Sequence, residues 1–196
     1  MTVEECPQCG APADPSTTKC RHCKSPFVIN TVSALSDFDE SAISKYVSFY
    51  KKEAEKNPAD DKAIMGLGIC YLRLGLFDLA KTKLQKCIEL VPDDGDAYYY
   101  YAVSLTGGRL LKSIPLGVIK EIEKFVETAS QLNKTEAKYY LFWAMIKHGY
   151  YKTNGMSVGS PADDDLLRLL QQGRLDMTER RFLFEILRFN HEGFIF

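Results

Sequence analysis

The sequence predicts a mainly α-helical chain with a small metal-binding module at its N-terminus, and three observations carry that reading. After Asp39, apolar residues recur at helical spacing between short turns rich in glycine, proline and aspartate. Four of the six cysteines form two pairs near the N-terminus, with two residues between the members of each pair. Part of the helical region is echoed 34 residues later. The chain has 196 residues, 45% hydrophobic and 26% charged, which is enough to bury a core. Its 25 basic and 26 acidic residues leave a formal charge of −1, so it has no global attraction for phosphate backbones or anionic lipid. No stretch approaches the ~18–20 uninterrupted apolar residues of a membrane span, and the N-terminus is acidic and already inside a motif, so neither a span nor a signal peptide is expected. The expected location is cytoplasmic, a reducing compartment in which paired cysteines point to metal rather than to disulfides.

Composition divides the chain into residues 1–28, a polar linker over 29–38, and a helical part over 39–196. The first segment holds four of the eight prolines and almost no helical period. Residues 30–37, small and polar, read as a linker or as an adaptor laid along the first helix. Asp39 or Ser41 caps a first helix with Ile43, Tyr46, Val47, Tyr50 and Ala54 on its apolar face, ending before Asn57-Pro58. Asp60 or Asp61 opens a second, carrying Ile64, Leu67, Gly68, Tyr71 and Leu72 and stopping at Gly75. A third runs from Phe77 to Leu90 with Ala80, Leu84, Cys87 and Ile88 on one face, and Pro92 lies just past its end. A fourth starts at Gly95 or Asp96 and breaks at Gly107-Gly108. A fifth follows Pro115 with Ile119, Ile122, Phe125, Val126 and Ala129 at helical spacing, and a sixth runs from Thr135 or Glu136 to Gly149 or soon after, with 152–159 as loop. Ser160-Pro161 before Asp163, Asp164 and Asp165 reads as a helix start, with a hydroxyl cap, a first-turn proline and carboxylates at the positive end of the dipole. That helix ends at Gly173, and a last one spans 178–189 with Phe182, Leu183, Ile186, Leu187 and Phe189.

The metal module is the sharpest signal. Cys6-Pro7-Gln8-Cys9-Gly10, ten intervening residues after Cys9, and then Cys20-Arg21-His22-Cys23 form a C-x2-C…C-x2-C array. Two residues between cysteines let both thiolates turn onto one ion, and Gly10 supplies a positive φ directly after the second sulfur. Four thiolates close a tetrahedron, so the expected cofactor is one structural Zn2+ held by Cys6, Cys9, Cys20 and Cys23, and metal binding drives the folding of a segment this short. The residues resemble the short C-P-x-C-G form of the zinc ribbon over about residues 4–28, with Lys24 where the second knuckle often has glycine. Redox disulfides are the competing use of such pairs, and His22 is a candidate substitute ligand. Lys19, Arg21 and Lys24 are opposed by Glu4, Glu5 and Asp14, and a four-thiolate zinc centre is itself anionic, which makes the ribbon a poor anion trap. A docking element for protein and a folding cap both remain open for it.

Asn57-Pro58-Ala59-Asp60-Asp61 is echoed by Val91-Pro92-Asp93-Asp94-Gly95. Between them, Leu67-Gly68, Tyr71, Ala80, Leu84 and Pro92 stand in an order that resembles the tetratricopeptide repeat (TPR). Gly68 and Ala80 lack bulk where two antiparallel helices cross closely, and Pro92 stops the second helix. The resemblance is good over 61–94 and degenerate over 95–134 and 135–173, where Glu121 stands in place of a small residue; helix 39–56 resembles an N-terminal cap and helix 178–189 a C-terminal one. It implies a solenoid of antiparallel helix pairs whose inner wall binds a protein or peptide partner. The implied groove residues are Lys62, Met65, Ile69, Arg73, Tyr99, Tyr100, Val103, Tyr140, Ala144 and His148. Tyr98 and Tyr101 are expected in the core, as are Cys70 and Cys87.

No nucleophile elbow, phosphate loop, zinc-protease motif or dinucleotide fingerprint is present, and the three histidines fall in separate modules. The expected function is a non-enzymatic, zinc-binding protein-interaction adaptor or scaffold, working as part of a larger complex. The alternative is a nucleic-acid-associated factor whose ribbon contacts RNA or DNA while the repeats recruit protein. Phe194-Ile195-Phe196 closes the chain as an apolar tail, expected either to cap the last helices or to insert into a partner or a second copy.

Overall fold

The computed structural model describes residues 3–14, 16–173 and 175–189, without the side chains of 163 and 164. The Phe194-Ile195-Phe196 tail lies outside the described residues. Among the described residues the secondary structure is helical, apart from two isolated β-bridges in the ribbon. The chain divides into two compact units, Met1–Pro92 and Asp93–Phe196.

In unit 1 the ribbon leads into a 3-10 turn at Val32–Leu35 and three helices, α1 (Glu40–Lys56), α2 (Asp61–Arg73) and α3 (Phe77–Leu90). The carboxylates of Asp39 and Asp60 accept from the amides of Ala42 and Ala63, capping α1 and α2 as their residue type favours. After α2, Gly75 at φ +70° lets its amide reach Leu72 O and the Leu76 amide reach Tyr71 O, a closure that ends the helix and reverses the chain. α2 and α3 are therefore antiparallel, with Cys87 Sγ donating to the Asp61 carbonyl at one end and Leu84 against Gly68 further along. α2 is buried on every side from Ala63 to Leu72, since α1 packs on one flank and α3 on another. Cys70 and Cys87 are core residues, and burial pushes the Cys70 thiol up to about 12.

The segment expected as linker or adaptor takes the adaptor form. Ile29, Val32 and Leu35 are buried, the turn at 32–35 packs on α2, and the Ile29 amide donates to the Tyr50 hydroxyl of α1 at 2.6 Å.

Unit 2 holds α4 (Gly95–Leu105), a 3-10 turn at Leu111–Ser113, α5 (Leu116–Leu132), α6 (Ala137–Ile146), α7 (Asp163–Gln172) and α8 (Met177–Ile186). Gly95 faces Ala129 and Leu132 while Tyr98 and Tyr101 meet Phe125, so α4 and α5 are antiparallel. α6 lies beside α4 in the same sense: Asp96 meets Lys138 and Tyr139, and Tyr99 meets Tyr139 and Phe142. α7 returns against α6, placing Gly173 at Ala137.

α7 and α8 depart from the sequence expectation at their ends, whereas α6 does not. α6 passes into a π-helical segment, Lys147–Lys152, so the helical run closes soon after Gly149 as expected, with Lys147 and Tyr150 buried. α7 begins two residues beyond Pro161 with Ala162 at its N-cap and no side-chain cap, so Ser160 does not cap it. α8 starts at Met177, because the Asp176 carboxylate accepts from the Thr178 and Glu179 amides and thereby fixes the start one residue earlier, and it ends at Ile186 rather than 189, just before Arg188 takes φ +47°.

Candidate metal centre and helix-binding wall

The two cysteine pairs sit in turns that repeat one another at a shift of 14 residues. The Cys6 amide donates to Ala11 O and the Gly10 amide to Cys6 O; likewise Cys20 donates to Ser25 O and Lys24 to Cys20 O. Single bridges Glu5–Pro12 and Lys19–Pro26 close the two turns. The amides of Gln8 and Cys9 point at the Cys6 sulfur, and those of His22 and Cys23 at the Cys20 sulfur, which stabilises anionic thiolate at both positions. Gly10 has φ +71°, as its position demanded, and Lys24 adopts φ +64° at the equivalent position. A side chain there is strained, and the Lys24 ammonium reaches back to the Arg21 carbonyl at 2.8 Å.

The four sulfurs all lie within 4.8 Å of one another, with Cys6–Cys23 at 3.5 Å and Cys9–Cys20 at 3.7 Å. A tetrahedron with metal–sulfur bonds of about 2.3 Å has edges of about 3.8 Å, so the donor atoms already approximate the corners of such a site. This geometry suits a four-coordinate soft metal with no open position. Burial pushes the Cys6 thiol up to about 12, whereas Cys23, despite its own desolvation, is drawn down to about 6 by hydrogen bonds from Ser25. Exposed His22 is not among the converging donors.

The ribbon is fastened to α1 rather than hung from it. Gln8 donates to the Ala42 carbonyl at 2.5 Å, Lys45 to the Gln8 carbonyl at 3.3 Å and the Tyr46 hydroxyl to the Pro26 carbonyl at 2.5 Å. Two of its basic side chains are also engaged locally, since Arg21 pairs with Asp14 at 2.5 Å and Lys24 donates to the Arg21 carbonyl.

The residues expected to face a groove are largely interior. In unit 1, Lys62 is exposed and Arg73 half-buried, but Met65 and Ile69 are enclosed because α2 is a central helix. In unit 2, Tyr99, Tyr100 and Val103 have no exposed surface, Tyr140 and Ala144 are buried, and His148 is half-buried. The expectation of exposure is corrected for these seven enclosed residues, and that for Tyr98, expected in the core, is corrected too, since it is half-buried; Tyr101 is buried as expected.

The physical reason in unit 2 is α8. The Tyr99 hydroxyl donates to Glu179 Oε1 at 3.0 Å and the Tyr100 hydroxyl to Glu179 Oε2 at 3.3 Å, so the wall formed by α4 and α6 already holds a helix. Lys138, itself buried, lies 5.5, 5.3 and 5.7 Å from the ring centroids of Tyr99, Tyr100 and Tyr139 and pairs with Asp96 at 2.8 Å. Burial pushes the Glu179 carboxyl up to about 7, with Lys138 and the Tyr99 hydroxyl opposing. A second buried cation, Lys147, pairs with Glu123 at 2.8 Å, and Glu123 also accepts from Trp143 and Tyr151. Of these charged residues only Asp96 was named from the sequence, and then as a helix start. The signal was present as Lys138 and Lys147 bracketing an apolar run, and Glu179 standing in register with Phe182, Leu183 and Ile186 on one helical face.

Burial and contact thus give a closed four-sulfur cluster in unit 1 and a helix-holding wall in unit 2. No helix among the described residues is long and apolar enough to cross a membrane. No family model matches the chain, and no curated protein matches it. Among solved structures, that of MamA MSR-1 C2 is similar at 18% identity, over 77% of this chain and 72% of that chain, with a TM-score of 0.47. The antiparallel pairs themselves carry the assignment of the fold.

Proposed function

We propose that the protein is a non-enzymatic, zinc-binding interaction adaptor of the cytoplasm that holds a protein partner by a helical segment. One observation supports the reading above the others: the face of α4 and α6 receives a helix, burying its acidic side chain between two tyrosine hydroxyls. Interlocked pairs of antiparallel helices with a TPR-like order of small and large residues suit such a role. The buried ionisable groups of unit 2 are satisfied by one another, an arrangement suited to holding a shape. Zinc is the metal that best fits four thiolates in a closed set, and its part is to fold the ribbon onto α1.

The test is affinity capture of the tagged full chain at high salt, with and without nuclease, followed by quantitative mass spectrometry. The reading expects a protein retained in fixed ratio and indifferent to nuclease. Absence of any retained protein contradicts it, and loss of retention on nuclease treatment would replace it with a nucleic-acid role.

A further inference from the structure

Two adjacent residues of a helix point about 100° apart, yet the hydroxyls of Tyr99 and Tyr100 converge on one carboxylate. The other members of the receptor come from α6: Lys138 stacks over both tyrosine rings, and its ammonium is anchored by Asp96. All the donors that meet the carboxylate therefore belong to the wall, and only the carboxylate belongs to α8. Glu179 is 1% exposed and opens α8's buried face in the first turn of the helix, one turn ahead of Phe182 and Leu183, at 5% and 0%. A glutamate buried this deeply costs folding energy that an apolar residue would avoid, so it marks recognition more than packing. α8 has only ten residues, too few to be stable as a helix away from a surface. Its outer side is solvent-facing, with Met177, Arg181 and Glu185 exposed.

We infer that the α4–α6 wall is a binding site for an amphipathic helix that carries a glutamate one turn ahead of paired large apolar side chains, that α8 is its resident occupant within the chain, and that a partner's helix of this kind displaces α8. The inference rests on the adaptor reading and supplies the class of partner: an acidic amphipathic helix. With α8 seated, the wall is only fractionally open, so a competing helix binds with an affinity reduced by that fraction.

The probe is a fluorescein-labelled peptide copying residues 175–189, titrated by anisotropy into the full chain. In Glu179→Ala, where α8 has lost its anchor, the peptide should bind at least about tenfold tighter than to the wild type. Adding Tyr99→Phe and Tyr100→Phe to that variant should cost at least about tenfold, as should glutamine in place of the peptide's glutamate. Equal binding to wild type and Glu179→Ala, or binding indifferent to the tyrosines and to the glutamate, overturns the inference. Hydrogen exchange on the unaltered wild type gives a second readout should the variants fail to fold. α8 amides should exchange through a local opening faster than those of α4 and α6, and exchange of all three in one global step refutes displacement. If the peptide fails to bind while affinity capture still retains a protein in fixed ratio, the adaptor stands and this site falls; loss of capture alone removes the adaptor reading.

Discussion

Of the unit 1 glycines, Gly66 leaves the least room for a side chain. A Cβ built there would lie 2.5, 2.6 and 2.9 Å from Cζ, Cε2 and Cε1 of Tyr50 on α1. The ring would have to withdraw by about 1 Å to reach ordinary contact. It has nowhere to go: Tyr50 has no exposed surface, packs with Tyr46 and Phe49, and is held by the Ile29 amide on its hydroxyl. Overpacking of this kind costs about 1–3 kcal/mol, and loss of the Ile29 hydrogen bond adds about 1 kcal/mol. Alanine in a helix interior returns about 0.5–1 kcal/mol of that. Gly66→Ala should therefore destabilise the protein by about 1–3 kcal/mol. Gly68→Ala should cost less, because the atoms it meets, Leu84 Cγ at 2.8 Å and Cδ2 at 2.9 Å, belong to an aliphatic side chain that turns more easily than a bonded ring. Urea unfolding followed by far-UV circular dichroism is the assay, since the single tryptophan, Trp143, reports on unit 2. A Gly66→Ala protein as stable as the wild type, with unchanged denaturant slope, would refute the packing of α1 on α2.

Lys24→Gly should relieve the left-handed backbone of the second knuckle and stabilise the ribbon by about 0.5–1 kcal/mol, read as slower loss of metal to a chelator; faster loss contradicts the strain. Glu123→Ala should leave Lys147 buried without its carboxylate and cost about 3 kcal/mol in urea unfolding, and a change under 1 kcal/mol would show that the pair is dispensable. Glu179 titrates near 7 when folded against an ordinary value of 4.5, so the folded chain holds its proton more tightly than the unfolded one. Its contribution is full below about pH 4.5 and is lost as pH rises through about 7, on the order of 3 kcal/mol in all, with Tyr99, Tyr100 and Asp96 of α4 and Lys138 of α6 facing it. The wild type should thus lose more urea stability between pH 5 and 8 than Glu179→Gln does, and parallel pH profiles would contradict the assignment.

The knuckles were legible because their chemistry is local: spacing places the sulfurs, and a glycine after the second cysteine announces its positive φ. Helix faces were legible for the same reason, as the burial of Ile43, Tyr46, Val47 and Tyr50 illustrates. Ile29, Val32 and Leu35 carried their own signal, a spacing of three that suits a 3-10 turn, but small polar neighbours concealed it. Periodicity gives one face and cannot say what covers the others. Hence Tyr99 and Tyr100, one step off the α4–α5 seam, were read as groove-facing, whereas α8, about 80 residues further along the chain, covers them. The same limit hid Gly66, whose tight neighbour lies on a helix preceding the recognisable repeat. At Ser160-Pro161 two residues of good start chemistry were offset from the turn that forms, and α7 opens without a side-chain cap.

The proposed closure of four thiolates around one structural ion is open to direct measurement. Native mass spectrometry of the purified full chain, with zinc counted by elemental analysis, tests it. One zinc per chain is expected, none in Cys9→Ser, and most helical dichroism should remain in that variant, because α2 to α8 pack without the ribbon's ligands. A wild-type chain carrying no zinc after preparation under reducing conditions, or Cys9→Ser retaining a full equivalent, would contradict it.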